Sequence, residues 1–191
     1  MKTSFDFLKS FLPLAAAVTF VCGLIYLATQ QSLRRGADDP QIQMAEDAAA
    51  VLAAGQTPGP LRDTSEKIDL ARSLAPGLVS YDDSVQPLAA TAQLNGKIPT
   101  PPHGVFDYAR NGGQHRVTWQ PERGVRLASV IVHYNGVKSG FVLACRSLRE
   151  TEDRVSDIGR LIGAGWVFTI VALLAGTLAL RFIEARWVRT K

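Results

Sequence analysis

The chain has 191 residues, 47% of them hydrophobic and 20% charged, with a formal net charge of +4 and two cysteines. That length leaves room for one soluble domain beside any membrane spans, and two cysteines exclude a disulfide-stapled scaffold. The charge excess sits at the ends: residues 30–160 hold 15 Lys/Arg and 15 Asp/Glu, residues 1–10 carry +1 and residues 181–191 carry +3, so the central part has no net basic field and nucleic acid is excluded as its partner.

Residues 1–10 read as a short cytoplasmic tail. Residues 11–29 follow as a first transmembrane helix, with the uncharged run FLPLAAAVTFVCGLIYLA at its centre. Pro13 falls in the opening turn, where a missing N–H costs little. The run is longer than the apolar region of a cleaved signal peptide and no small-x-small site follows it, so it reads as an uncleaved signal anchor. Thr19 and Gly23 are four apart, a spacing that lets another helix approach closely.

Residues 30–158 form the predicted extracytoplasmic domain. Asp39-Pro40 starts a helix, PQIQMAEDAAAVLAAG, with Ile42, Ala45, Ala49 and Leu52 on one face. Gly55 ends it. Asp63 with Glu66 resembles a capping box and predicts a second, shorter helix closed by Pro76-Gly77. The pattern then turns strand-like. LVSY is a strand, Asp82-Asp83-Ser84 a turn, and VQPLAATAQL a returning strand that Pro87 confines to an edge. VFDYAR predicts one or two helical turns. Three strands follow, QHRVTWQ, VRLASVIVHY and GFVLACRSL, the last two joined by a hairpin loop that begins at Asn135-Gly136.

From Arg149 the pattern is helical again. No breaker separates RETEDRVSDIGR from the apolar run Leu161–Leu180, which predicts one continuous helix from about Arg149 to about Arg186. Residues 159–181 are its transmembrane part, about 30 Å of helix in the apolar run and enough for a bilayer core. Gly159/Gly163 and Ala172/Gly176 are small-xxx-small pairs suited to packing against the first span or across a homodimer. Residues 182–191 form a basic tail. The positive-inside rule places both termini in the cytoplasm and the domain outside, as in a two-pass protein of a bacterial inner membrane in contact with lipid.

No catalytic constellation is present. His103, His115 and His133 have no partners at metal-ligand spacing, and there is no GxSxG, phosphate loop or dinucleotide fingerprint. No metal, cofactor or enzymatic activity is predicted. Cys22 and Cys145 read as small buried apolar residues. The remaining candidates for binding a small ligand are Tyr81, Arg116, Trp119, Arg126, His133 and Arg146. Arg offers a fork to carboxylates and the aromatics offer stacking walls. Strand periodicity sets Arg116 opposite in face to Trp119 and Arg126 opposite to His133, so a regular sheet cannot turn all six into one site.

The stretches DPQIQMAEDAA, SLAPGLVSYDDS, RVTWQPERGVRLASVIVHY and GFVLACRSLRETEDRV resemble, in their order of elements, the extracytoplasmic PAS-like (PDC/Cache) sensor domains of bacterial signal-transduction receptors. The resemblance implies an α+β fold with a five-stranded antiparallel sheet, helices packed on one face, a small ligand between sheet and crossing loops, and signalling through the membrane helices. Such receptors commonly carry a kinase or other output module. Only eleven residues follow Leu180 here, so the expected output is lateral, to a separate histidine kinase or other membrane protein. The alternative is an accessory or structural subunit of a membrane complex that uses the domain as an interaction module.

Overall fold

The computed structural model describes residues 2–36 and 39–189. Asp38, after the first apolar run, and Lys191, of the basic tail, lie outside the described residues. The chain divides into two compact units, residues 33–153 and residues 1–32 with 154–191.

Residues 33–153 form an α+β unit. Helix α2 (Asp39–Ala53) is followed by β1 (Ile68–Asp69), β2 (Gly77–Asp82), β3 (Pro87–Ala90), β4 (Ala92–Gln93), α3 (His103–Gly112), β5 (Gln114–Glu122), β6 (Val125–Asn135) and β7 (Ser139–Ser147). The main sheet is antiparallel, in the order β3-β2-β7-β6-β5. Its centre is β7 and β6, where runs of consecutive buried residues replace polar alternation. A strand apolar on both faces must be covered on both.

That requirement corrects the expectation of helices on one face. The small residues Ala45, Ala48 and Ala49 let α2 lie close over Val130, Val132, Val142 and Ala144. On the opposite face α3 brings Phe106 and Ala109 against Leu127, Ile131, Phe141 and Leu143. Gly136 sits under the end of α2, where any Cβ would collide with the Ala53 backbone, and Val137 N–H donates to Ala53 C=O at 2.9 Å. The turn after α2 therefore rests on the β6–β7 hairpin.

The predicted helix from Asp63 does not form. The Asp63 carboxylate accepts from Ser65 N–H and Ser65 Oγ, at 3.0 and 2.6 Å, closing a local turn. Those two hydrogen bonds, side chain first, hold its pKa below the ordinary value. Farther on, Ile68 and Leu70 N–H donate to Thr91 and Gln93 C=O at 2.8 and 2.9 Å. A parallel two-residue ladder, β1 on β4, takes the backbone groups a helix would have used. The predicted returning strand is likewise cut at Thr91, whose Oγ1 accepts from Leu78 N–H at 2.9 Å while the chain passes from β3 to β4. Gly77 makes this junction fit, because a Cβ there would overlap that of Ala92.

Residues 1–32 and 154–191 contribute the helical parts of α1 (Lys2–Gly36) and α4 (Arg149–Arg189). Both helices are long and apolar enough to cross a membrane, and none of their apolar windows is buried within the protein. Trp166 Nε1 donates to Thr19 Oγ1 at 2.9 Å, joining the two helices.

Candidate functional site

The six sequence-derived ligand candidates do not converge. Tyr81, Trp119 and His133 lie on the α3 face of the sheet, in phase with Leu127, Ile131 and Phe141. Arg116, Arg126 and Arg146 lie on the α2 face, in phase with Ala128 and Val130. The space between sheet and α3 is occupied by an aromatic stack. Phe106 meets Tyr81 and Phe141 edge-on, with ring centroids 5.2 and 5.3 Å apart, a preferred geometry for ring quadrupoles. Tyr81 is fully buried and donates to Pro99 C=O at 2.5 Å. Burial pushes its phenol well above the ordinary pKa. Trp119 Nε1 donates to Ser129 Oγ at 3.0 Å. These groups are committed to the core.

Two of the arginines fasten the start of α4. Arg126 NH1 meets Glu152 Oε1 at 2.6 Å. Arg146 Nε donates to Leu74 C=O at 3.0 Å while its NH2 reaches Glu150 Oε2 at 2.9 Å. Arg149 adds bonds to Ala71 and Arg72 C=O at 3.4 and 3.0 Å. The irregular segment 71–74, the adjacent ends of β6 and β7 and the first turn of α4 are thus held by charge-assisted contacts. Arg116 is exposed on β5.

His133 belongs to a different polar group. Its centre is Asp83 in the β2–β3 turn. Ser139 Oγ, at the start of β7, donates to Asp83 Oδ2. His133 Nε2 lies 3.5 Å from Oδ1. Arg110 of α3 donates to the Asp83 carbonyl at 2.8 Å and lies 3.8 Å from Oδ1. Its guanidinium stacks 4.9 Å over the Phe141 ring, which His133 also touches at 4.9 Å. The Ser139 hydrogen bond is the largest cause holding the Asp83 carboxyl below its ordinary pKa, with His133 and Arg110 assisting against partial burial. Here the carboxylate stands between the serine and the imidazole. A catalytic triad needs the imidazole between serine and carboxylate, so this arrangement is not a triad; it ties three elements to one turn.

The turn that presents Asp83 is strained. Val85 has φ 63°, a conformation that a β-branched residue rarely adopts. It persists because Asp82 closes the turn, its N–H donating to Gln86 C=O and its carboxylate accepting from Gln86 N–H, at 2.9 and 2.8 Å. The Val85 side chain is also buried in the aromatic core. Backbone strain of this kind costs roughly 1–3 kcal/mol and concentrates where geometry is imposed by a site. The acidic pair in the turn is visible in the sequence. Its partners Arg110, His133 and Ser139 come from three separate elements and carry no spacing signal. His115 stacks on Tyr108, with ring centroids 5.0 Å apart.

In the helical unit, Thr19 and Gly23 of α1 and Gly159 and Gly163 of α4 line one groove of about 590 Å3. Gly159 makes the close approach, since a Cβ there would stand 3.1 Å from the Tyr26 ring; Cβ positions at Gly23, Gly163 and Gly176 meet open space. Ala172 and Gly176 lie outside this groove. No group of His, Cys, Asp or Glu among the described residues could hold a metal ion. No family model, curated protein or solved structure matches this chain.

Proposed function

We propose that this chain is a two-pass protein of a bacterial inner membrane whose central unit is an extracytoplasmic PAS-like sensor module. Both termini are cytoplasmic in this reading. The module detects a small ligand or an envelope cue, and the change passes through the membrane helices to a separate membrane protein such as a histidine kinase. The observation that carries the reading is the fastening of α4. The helix that leaves the last strand of the sheet is apolar enough to cross a membrane, and Arg126, Arg146 and Arg149 tie its first turn to β6, β7 and segment 71–74. A shift in the sheet or in that segment is felt first at those contacts. The five-stranded antiparallel sheet supports the PAS-like assignment. The exposed surface around Asp83, Arg110, His133 and Ser139 is the place where a polar ligand or a partner loop finds both charge signs and a strained turn.

A second reading, an interaction module without a small ligand, is favoured by one observation: Tyr81, Phe106 and Phe141 pack edge to face where the resemblance implies a ligand. Full-length protein in nanodiscs separates the two. Thermal-shift screening against small carboxylates and amines should raise the melting temperature for at least one class under the sensor reading, and Asp83→Asn should remove that rise. No shift with any class, together with co-purification of one membrane complex, selects the interaction module. Reporter fusions test the topology. Alkaline phosphatase should be active when inserted within residues 33–153 and inactive at either terminus; the opposite pattern overturns the placement.

A further inference from the structure

The five-stranded sheet has two edges, and they differ in kind. The β3 edge is four residues long, begins at Pro87 and carries a register shift, all devices that blunt an edge against further pairing. β5 is nine residues long; its own register shift and Pro121 are confined to its end, after Trp119, and from Gln114 to Trp119 it pairs regularly with β6. The bond from His133 N–H to Gly113 C=O, 2.9 Å, sets the phase of that ladder. In an antiparallel pair, residues that exchange both hydrogen bonds with the neighbour alternate with residues whose groups point away. His115, Val117 and Trp119 therefore bond β6. The N–H and C=O groups of Gln114, Arg116 and Thr118, within the regular stretch, point outward. The side chains of Arg116, Thr118 and Gln120 are exposed as well, because α2 packs on β6 and β7.

We infer that β5 is a self-association edge, to which β5 of a second copy of this chain adds in antiparallel register about a two-fold axis at Val117, joining two five-stranded sheets into one. The register follows from hydrogen-bond accounting. With the axis at Val117, Arg116 stands opposite Thr118 of the second copy, so the central outward residues of each strand pair with each other, and Gln114 comes opposite Gln120, where the regular register ends. Pairing ends before Pro121, which has no N–H to give. His115 faces Trp119 of the second copy and Val117 faces its own equivalent. An axis at Arg116 would set two guanidinium groups directly opposite, which is unfavourable. An axis at Thr118 would bring Gln114 to Glu122, whose pairing with Val125 across the Arg123-Gly124 turn directs its backbone to β6. The strand is thus complementary to itself in one register without apposed like charges, which is what a two-fold interface requires and what favours a second copy over a foreign strand. The inference does not depend on the sensor reading.

Oxidative crosslinking of the full-length chain in nanodiscs tests it, on a background with Cys22→Ser and Cys145→Ala. Residues facing each other as a non-hydrogen-bonded pair have Cα atoms about 4.5 Å apart, within disulfide reach, so Val117→Cys should give a disulfide dimer more strongly than Arg116→Cys or Thr118→Cys. Thr118→Pro removes an outward N–H that β6 does not use, and an edge strand accepts proline there. It should abolish the Val117→Cys dimer and leave the circular dichroism of the chain unchanged. Arg116→Pro makes the same deletion at a second position, should either variant fold poorly. A monomer under oxidation, a crosslink that survives both proline variants, strongest crosslinking at position 116 or 118, or a Val117→Cys adduct with a different polypeptide in membranes would each overturn the inference.

Discussion

Asp83 illustrates how a residue that reads as turn chemistry acquires further work from its surroundings. Its carboxylate serves Ser139, His133 and Arg110 from three elements. Because its pKa is lowered in the folded state, its contribution is present above the ordinary carboxylate range and is lost as pH falls through the folded value. Asp83→Asn should flatten the acid limb of a stability-versus-pH profile. At neutral pH it should cost about 1 kcal/mol or less, because the carboxylate is half exposed and screened; chemical denaturation at several pH values reads both. Cys145 behaves oppositely. Complete burial pushes its thiol up to about 12. A thiol raised in the folded state stays protonated while the unfolded chain ionises, so stability falls as pH rises from about 9 towards 12. Maleimide should leave Cys145 unlabelled in the native protein and label it after denaturation; rapid native labelling would contradict its burial.

At the scale of elements, the interior of the α+β unit depends on α3 more than its ten residues suggest. Phe106 is the ring on which Tyr81 and Phe141 both lean. Phe106→Ala should destabilise the protein by about 3–5 kcal/mol, the range for deleting a buried aromatic, measured from thermal or urea melts. In the helical unit the small residues are not equivalent. Gly159→Ile forces the Tyr26 ring away and should cost roughly 1–3 kcal/mol by overpacking. At Gly163 a Cβ meets open space beside the groove, so Gly163→Ile should cost less than Gly159→Ile. Equal losses in the two variants, in detergent melts, would show that the groove closes elsewhere.

For the whole molecule, the two apolar helices predict behaviour that a soluble domain would not show. The chain should remain with membranes through alkaline carbonate and be released by detergent; release by carbonate alone would remove the two-pass reading. Much of this organisation was legible in the residues themselves. Long apolar runs bracketed by charges, Asp39-Pro40 at a helix start, and alternating strands between turn residues are local signals, and α1, α2, β5, β6, β7 and α4 all follow from them. The hairpin at Asn135-Gly136 and the edge position enforced by Pro87 were legible for the same reason. What failed was the helix from Asp63, where a local capping pattern competed with non-local partners at Thr91 and Gln93 and lost.

The sequence by itself determined which segments are apolar throughout, which alternate and where the chain must turn, because these depend on neighbours a few residues away. Only the tertiary structure decided what the polar residues are for. Arg126 and Arg146 read as a ligand's fork, and the structure pairs both with the first turn of α4, while Asp83, Arg110, His133 and Ser139, which share no spacing, meet at one turn. A charge's partner is set by which elements the sheet order brings together, and no periodicity within a single strand or helix contains that information.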